Sequence, residues 1–338
     1  MITKLLDDKK YVDIDKASEI LRKGGLVAFA TETVYGLGAS ALNGEAVKNI
    51  FLAKGRPQDN PLIVHLSDPP EAEKYVCTNE LGYKIAERFM PGPITVILPK
   101  KVLICDEVSC GLDTIGIRVP LYKPARDLIR SAGVPIAAPS ANISGKPSPT
   151  KAQHVIDDML GRIDAILQGD DCSVGVESTV VKITGEDSLI VCRPGGITVD
   201  MLKEVCSEVS IDPAVLSKFD GKPVSPGMKY RHYAPKAQVT VLSMDEDAFI
   251  DYLSGKKDFG ILCFEGDKKL LTFENAMSFG DEGDLDAQAS KLFSCLREFD
   301  KHPEVKEIFA RMPDNSGVGL AVYNRLLKAA GFKVVTKD

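Results

Sequence analysis

Four things are missing from this sequence, and each absence narrows its function. There is no excess of basic residues: 42 Lys and Arg stand against 48 Asp and Glu, for a net charge of −6. Stable binding to bulk nucleic acid wants a basic face, so nucleic acid is not the expected main ligand, whereas a local basic pocket would suit an anionic small molecule. There is no Cys-x-x-Cys pair. The eight cysteines are scattered, with Cys105 and Cys110 the closest two, and only four histidines occur, widely spaced. That spacing argues against a zinc site and for reduced, mostly buried thiols in a cytoplasmic protein. No run of about eighteen apolar residues is present, so no membrane-spanning helix is expected. The first ten residues, from Met1 to Lys10, carry charge too early for a secretory signal. Repeats of 20–50 residues and low-complexity tracts are absent as well.

What is present is the composition of a soluble globular protein, 44% hydrophobic and 27% charged, over 338 residues. That length is more than one core usually fills, so two domains are expected. Asp15 to Lys23 reads as an amphipathic helix with Asp15 as N-cap and Gly24-Gly25 as its stop. Leu26 to Ala30 is a buried strand that runs into Thr31-Glu-Thr-Val-Tyr-Gly-Leu-Gly38. Open α/β sheets place ligands at such strand ends, although ordinary strand-end hydrogen bonding would equally account for Thr31 and Thr33. A helix from Gly44 to Ala53 leads into Lys54-Gly-Arg-Pro-Gln-Asp-Asn-Pro-Leu-Ile-Val-His65. Lys54 offers a point charge and Arg56 a planar fork to a phosphate or carboxylate, in a backbone shaped by Gly55, Pro57 and Pro61. Alone, the same residues also read as a solvated surface loop. Leu62 to His65 is a buried strand with His65 at its end.

Further along, Ile94–Leu98 and Thr114–Pro120 are strands, and the second carries Arg118 among apolar neighbours. A charge there either faces solvent or meets a buried anion. Pro135 to Thr150 opens from a short apolar strand into a loop dense in Ser, Gly and Pro, with Thr150 placed to cap a helix from Lys151. Hydroxyls, amides and a helix N-terminus together make an anion cradle, though not a Walker loop. Val174–Val181 and Val191–Gly196 read as strands with polar interruptions at Ser178 and Arg193. From about Ser207 the character changes. Ser225-Pro-Gly-Met-Lys-Tyr-Arg-His-Tyr-Ala-Pro235 is too aromatic and basic for an inert spacer. Beyond it strands and helices alternate, which predicts a small second α/β domain with a mainly parallel sheet. Its helix from Leu285 sets Leu285, Ala289, Leu292, Phe293, Leu296 and Phe299 on one face.

The stretches at 31–38, 54–65, 139–145 (Pro-Ser-Ala-Asn-Ile-Ser-Gly) and 177–181 (Glu-Ser-Thr-Val-Val) resemble the YrdC-like family. The tyrosine-rich linker followed by a small α/β domain is similar to its longer members, the two-domain L-threonylcarbamoyladenylate synthases. The resemblance implies a twisted open α/β sheet with a concave basic face, followed by a Rossmann-like domain. The expected division is a catalytic domain at 1–207, a linker or lid at 208–236 and a C-terminal domain at 237–338. It also implies a reaction of L-threonine, bicarbonate or CO2 and ATP, giving threonylcarbamoyl-AMP and pyrophosphate for the threonylcarbamoyladenosine of tRNA.

On that resemblance Lys54 and Arg56 take the triphosphate and the charge of the leaving pyrophosphate. Asn60, Thr114, Ser140, Ser148, Arg193 and His232 join them around ATP. Arg118 becomes the fork for the threonine carboxylate, with Thr33, His65, Ala138 and Ser178 completing that pocket. Magnesium is expected to arrive with ATP, since no clustered carboxylates are seen. A weak tRNA or double-stranded RNA contact, and hand-over to a threonylcarbamoyl transferase, are further expectations, and Ser225–Pro235 is expected to close over ATP. A non-catalytic RNA-binding module of the same fold is the alternative, and a carbamoyl-phosphate-using relative a third reading.

Overall fold

Alternation with a period of two organises the first half of the chain. In a computed structural model, which describes residues 1–217, 232–271 and 273–337, Val27 and Phe29 enter one core while Leu26, Ala28 and Ala30 enter another. One core packs the helices Tyr11–Arg22 and Lys123–Ala132 on the sheet, and the other packs Gly44–Lys54 and Glu80–Phe89. Successive side chains of a strand point to opposite faces, so a strand buried on both faces reads as a continuous apolar run.

The sheet has eleven strands: β1 (Lys4–Asp7), β2 (Val27–Phe29), β3 (Gly36–Ser40), β4 (Ile63–His65), β5 (Ile94–Pro99), β6 (Thr114–Arg118), β7 (Ile136–Ala138), β8 (Ala165–Gln168), β9 (Thr179–Ile183), β10 (Ser188–Arg193) and β11 (Glu208–Ile211). Their order is β1-β8-β2-β3-β7-β4-β6-β5-β9-β10-β11, with parallel and antiparallel pairs mixed. At its centre β4 pairs parallel to β6, setting Ile63 against Gly116 and His65 against Arg118. The ends of two strands distant in sequence therefore deliver the imidazole and the guanidinium side by side.

A second sheet is parallel throughout: β12 (Gln238–Ser243), β13 (Phe259–Cys263), β14 (Ala276–Ser278), β15 (Glu307–Arg311) and β16 (Val334–Thr336), in the order β14-β13-β15-β12-β16. The parallel α/β layering is the one expected. Its strand order differs from the dinucleotide-binding 3-2-1-4-5 arrangement, because β15 inserts between β12 and β13. The helix Leu285–Phe299 buries Ala289, Leu292, Phe293, Leu296 and Phe299 as the sequence predicts, while Leu285 is only partly covered.

Three local expectations are corrected. The first helix starts at Tyr11, one turn before Asp15. It does so because Ile14, Ala17, Ser18 and Leu21 form its buried stripe, and Asp15 instead accepts a hydrogen bond from Ser131. Thr150 caps no helix: Lys151 is the N-cap residue of Ala152–Met159, and the Thr150 hydroxyl pairs with Ser294 of the second unit. The strand β11 pairs with β10, so Glu208–Ile211, assigned to the linker from sequence, belongs to the first sheet. Of the aromatic linker only His232 to Pro235 falls within the described residues; Tyr230 and Arg231 lie outside them.

The two units meet closely. Val34 and Val176 of the first pack in one cluster with Tyr233, Phe293 and Leu326. Gly175 sits at φ 77°, where a Cβ would fall 2.3 Å from the Cα of Ser290. Only glycine permits both that backbone conformation and that approach.

Candidate active site

The helix Gly44–Lys54 ends because Gly55 takes a left-handed conformation at φ 62°. The Gly55 and Arg56 amides then donate back to Leu52 and Phe51, the usual way a glycine satisfies the last carbonyls of a helix. This reversal sends Lys54 and Arg56 in different directions. Arg56 lines a cavity, donates to the Asn60 carbonyl at 3.0 Å and lies over the Phe51 ring. Lys54 does not line it. Its ammonium donates to the carbonyls of Ser140 and Asn142, each at 2.6 Å. Burial, with Arg56 adding to it, holds that ammonium well below the ordinary lysine range. Lys54, expected at the triphosphate, thus anchors the Ser140–Ser144 loop, whose Ser144 amide also donates to the Lys54 carbonyl.

Four cations (Arg56, Arg118, Lys146 and Arg193) and one carboxylate, Glu177, line the cavity. A chain of net charge −6 therefore encloses a positive site, where low dielectric and fixed charges favour an anionic ligand. Arg118 is 4% exposed and donates from one amino nitrogen to Glu32 at 2.6 Å, while its Nε has no partner among the described residues. The other Glu32 oxygen accepts from the Leu121 amide. His65 lies edge-on to Phe29 with its Nδ1 3.2 Å from the Ile63 carbonyl. Burial, then the neighbouring Arg118, push its imidazole down to about 3, so it is neutral at physiological pH.

Arg193 donates from Nε to the Ser178 carbonyl and from an amino nitrogen to the Ser178 hydroxyl, which also pairs with Thr95. Ser178 and Thr33 are fully buried beneath the cavity lining. Thr33 pairs with the Thr31 hydroxyl, and it is Thr31 that reaches the cavity. Ala138 ends β7 and lines the cavity together with Ser140, Ser148 and His232. Ser140 donates to the Asn142 side chain and Ser148 to Glu177, each at 2.5 Å. Burial lowers the His232 imidazole to about 3.

Asn60 is 1% exposed, and neither atom of its side-chain amide has a partner among the described residues. An amide so placed pays a desolvation cost that a ligand can offset. Thr114, at the start of β6, is half-buried and outside the lining. It lies four residues from Arg118, about 13 Å along the strand at 3.3 Å per residue. Asn60 precedes β4 at the same end. The β4–β6 pair thus carries Asn60 and Thr114 at one end and His65 and Arg118 at the other.

Four participants were not singled out from the sequence: Glu32, Asn142, Lys146 and Glu177. Glu32 and Glu177 stand inside motifs whose neighbours were chosen, but a carboxylate's partner is invisible in one dimension. Among the described residues no group of three or more His, Cys, Asp or Glu is placed to hold a metal ion. Nor is any helix long and apolar enough to cross a membrane. All eight cysteines are free thiols.

Comparison with known proteins gives a consistent relationship along the chain. Residues 19–195 match the Sua5, YciO and YrdC family described as telomere recombination, and residues 197–331 match the threonylcarbamoyl-AMP synthase C-terminal domain. The threonylcarbamoyl-AMP synthase of Bacillus subtilis is 44% identical over 328 residues, covering 95% of this chain and 94% of its own. That of Pyrococcus abyssi is 43% identical, covering 94% of each. The crystal structure of P. abyssi Sua5 complexed with L-threonine superimposes with a TM-score of 0.92 at 39% identity, over 100% of both chains. With both matched regions in order and near-complete coverage of its relatives, the chain belongs to the threonylcarbamoyl-AMP synthase family in its two-domain form.

Proposed function

We propose that this protein is an L-threonylcarbamoyladenylate synthase, converting L-threonine, bicarbonate or CO2 and ATP into threonylcarbamoyl-AMP and pyrophosphate. The threonine amine becomes a carbamate, and a carbamate oxygen attacks the α-phosphorus of ATP as the α–β bridging bond breaks. Such a transfer needs positioning and charge stabilisation rather than a covalent nucleophile. The carrying observation is the pairing of Arg118 with His65 at the end of β4–β6, in one cavity with Arg56, Arg193 and Ser148.

In this reading Arg118 takes the threonine carboxylate as a planar fork, held in place by Glu32. His65, Thr33, Ser178 and the Ala138 backbone complete the threonine pocket. Arg56 faces the charge that develops on the leaving pyrophosphate. Asn60, Thr114, Ser140, Ser148, Arg193 and His232 hold the rest of the nucleotide, and Lys54 sets the loop that carries Ser140. Both Glu177 oxygens are already engaged, by Ser148 and by Arg325. Among the described residues the lining thus offers no spare carboxylate, and Mg²⁺ would enter as part of the MgATP substrate.

The proposed division keeps a catalytic domain and a C-terminal domain from 237, with the linker beginning after β11. A cytoplasmic setting suits eight free thiols, and the product is a mixed anhydride that a downstream threonylcarbamoyl transferase would carry to tRNA. The RNA-binding alternative gains nothing from the site: Arg118 and Arg193 are 4% and 5% exposed, too recessed for a duplex. Pyrophosphate release that requires threonine, bicarbonate and ATP together tests the proposal. Folded protein without such release refutes it, and preference for carbamoyl phosphate over threonine points to the related carbamoyl-adenylate reaction.

A further inference from the structure

Among the described residues Glu177 is the one carboxylate in the cavity lining, and its second oxygen accepts from outside the catalytic unit. Arg325, on the helix Gly319–Ala329 of the second unit, is fully buried and donates from Nε to Glu177 at 2.8 Å. One amino nitrogen donates to the Asn324 side chain, and the guanidinium lies over the Tyr233 ring. Asn324 in turn donates to the Val215 carbonyl, tying the start of that arrangement to the segment after the first sheet. On the other side, Glu177 accepts from the Ser148 hydroxyl at 2.5 Å. The Ser148 loop is held from the same direction. Arg297 of the helix Leu285–Phe299 donates to the Pro147 carbonyl and to Asp158, and Thr150 pairs with Ser294.

We propose that Arg325 is a positioning residue for the nucleotide: through Glu177 it fixes the Ser148 hydroxyl, so that the C-terminal domain completes the ATP side of the catalytic cavity. The inference rests on the reading of that cavity as the ATP site. The chemistry has a definite polarity. An ionised Glu177 accepts the hydrogen bond of the Ser148 hydroxyl, leaving Ser148 Oγ to present lone pairs to the cavity. Ser148 then accepts from a donor on the ligand, such as a ribose hydroxyl or a water of the MgATP complex, and does not donate to a phosphate oxygen.

Burial alone would raise the Glu177 carboxyl. Arg325, then Arg193 and the Ser148 hydroxyl, overcome it and bring it down to about 2. The charged or titratable groups facing Glu177 are Arg325 and Lys328 from the second unit, Arg193 and Lys54 from the first, and His232 and Tyr233 from the end of the linker. Removing Arg325 takes away the largest of the influences that lower it. A Glu177 that gains a proton becomes a donor and can no longer orient Ser148.

The test compares the full-length protein with Arg325→Met and Arg325→Lys, by steady-state kinetics at pH 6 to 8.5 and by direct ATP titration. Arg325→Met is expected to raise the KM for ATP and the ATP dissociation constant by about tenfold or more, the scale of one lost charge-assisted hydrogen bond. The KM for threonine should move less than about threefold, and the ATP defect should deepen as pH falls. Arg325→Lys keeps a charge but not the fork and should recover part of the loss. A KM for ATP within twofold of the parent's in Arg325→Met overturns the proposal, whatever happens to Tm. So does a defect that Lys fails to improve, or that is the same at pH 6 and 8.5. Should the Met variant not fold, the Lys variant decides, since unchanged ATP binding there also overturns it. If the parent itself binds ATP but releases no pyrophosphate with threonine and bicarbonate, the proposed reaction fails while the ATP titration still judges Arg325.

Discussion

Arg118 has two partners to satisfy in turn, and separating them gives the sharpest test of the threonine pocket. Without substrate it pairs with Glu32 at 2.6 Å, both residues being 4% exposed. Replacing it in Arg118→Met leaves the Glu32 carboxylate buried with only the Leu121 amide. Removing one member of such a pair costs about 3–5 kcal/mol, because the other charge is left uncompensated. In a unit of this size that lowers Tm on the order of 10 °C. Threonine affinity falls for a different reason, the loss of a charge-assisted fork worth about 3 kcal/mol, or roughly 100-fold in Kd.

The double variant Arg118→Met/Glu32→Gln distinguishes these losses. With the unpaired charge gone, Tm should recover most of its fall, while threonine binding stays roughly 100-fold weak. Thermal unfolding and calorimetric titration of threonine read the two quantities independently. Threonine binding within threefold of the parent's in the single variant, or restored in the double, would refute the assignment of Arg118 to the carboxylate.

Arg56→Ala should leave the fold intact but lower kcat by about 100-fold or more, as expected for a group that stabilises transition-state charge; unchanged pyrophosphate release removes Arg56 from the mechanism. Asn60→Ala should weaken ATP binding by roughly tenfold, yet leave the Tm of the ligand-free protein unchanged or higher, because the deleted amide has no partner among the described residues. A lower ligand-free Tm with normal ATP binding would show Asn60 to be structural. His65 and His232 are both held down to about 3 in the folded protein, against about 6.5 in the unfolded chain. The unfolded state thus binds the extra protons, and stability present above pH 6.5 is lost as pH falls towards 3. Between pH 7 and 5 each costs about 2 kcal/mol. Burial also lowers His154, to about 4, so urea unfolding across that range should show the slope of three histidines and His65→Gln should remove about a third of it; an unchanged slope would contradict the buried, neutral His65.

The sequence by itself determined the elements and much of the chemistry. Apolar runs such as Leu62–Val64 and Ile94–Leu98 specify strands because only a doubly covered sheet buries them. The heptad-like stripe from Ala289 to Phe299 specifies its helix for the same reason, and packing of those side chains outweighs any single propensity. Eight of the thirteen residues proposed for the site meet in one cavity, since a cation, an imidazole and a Ser/Gly/Pro loop at strand ends are recognisable by type.

Tertiary structure decided the partners. Lys54 and Arg56 look equivalent in the chain, yet the left-handed turn at Gly55 buries one against the 140–144 loop and points the other into the cavity. Thr31 and Thr33 likewise exchange places at the surface of the site. Glu177 and Arg325 are separated by 148 residues, and neither composition nor periodicity can pair charges across two separately folded sheets. Hydrogen bonds and ion pairs depend on distance and direction in three dimensions. Hydrophobic periodicity depends only on spacing along the chain, so it alone is legible before folding.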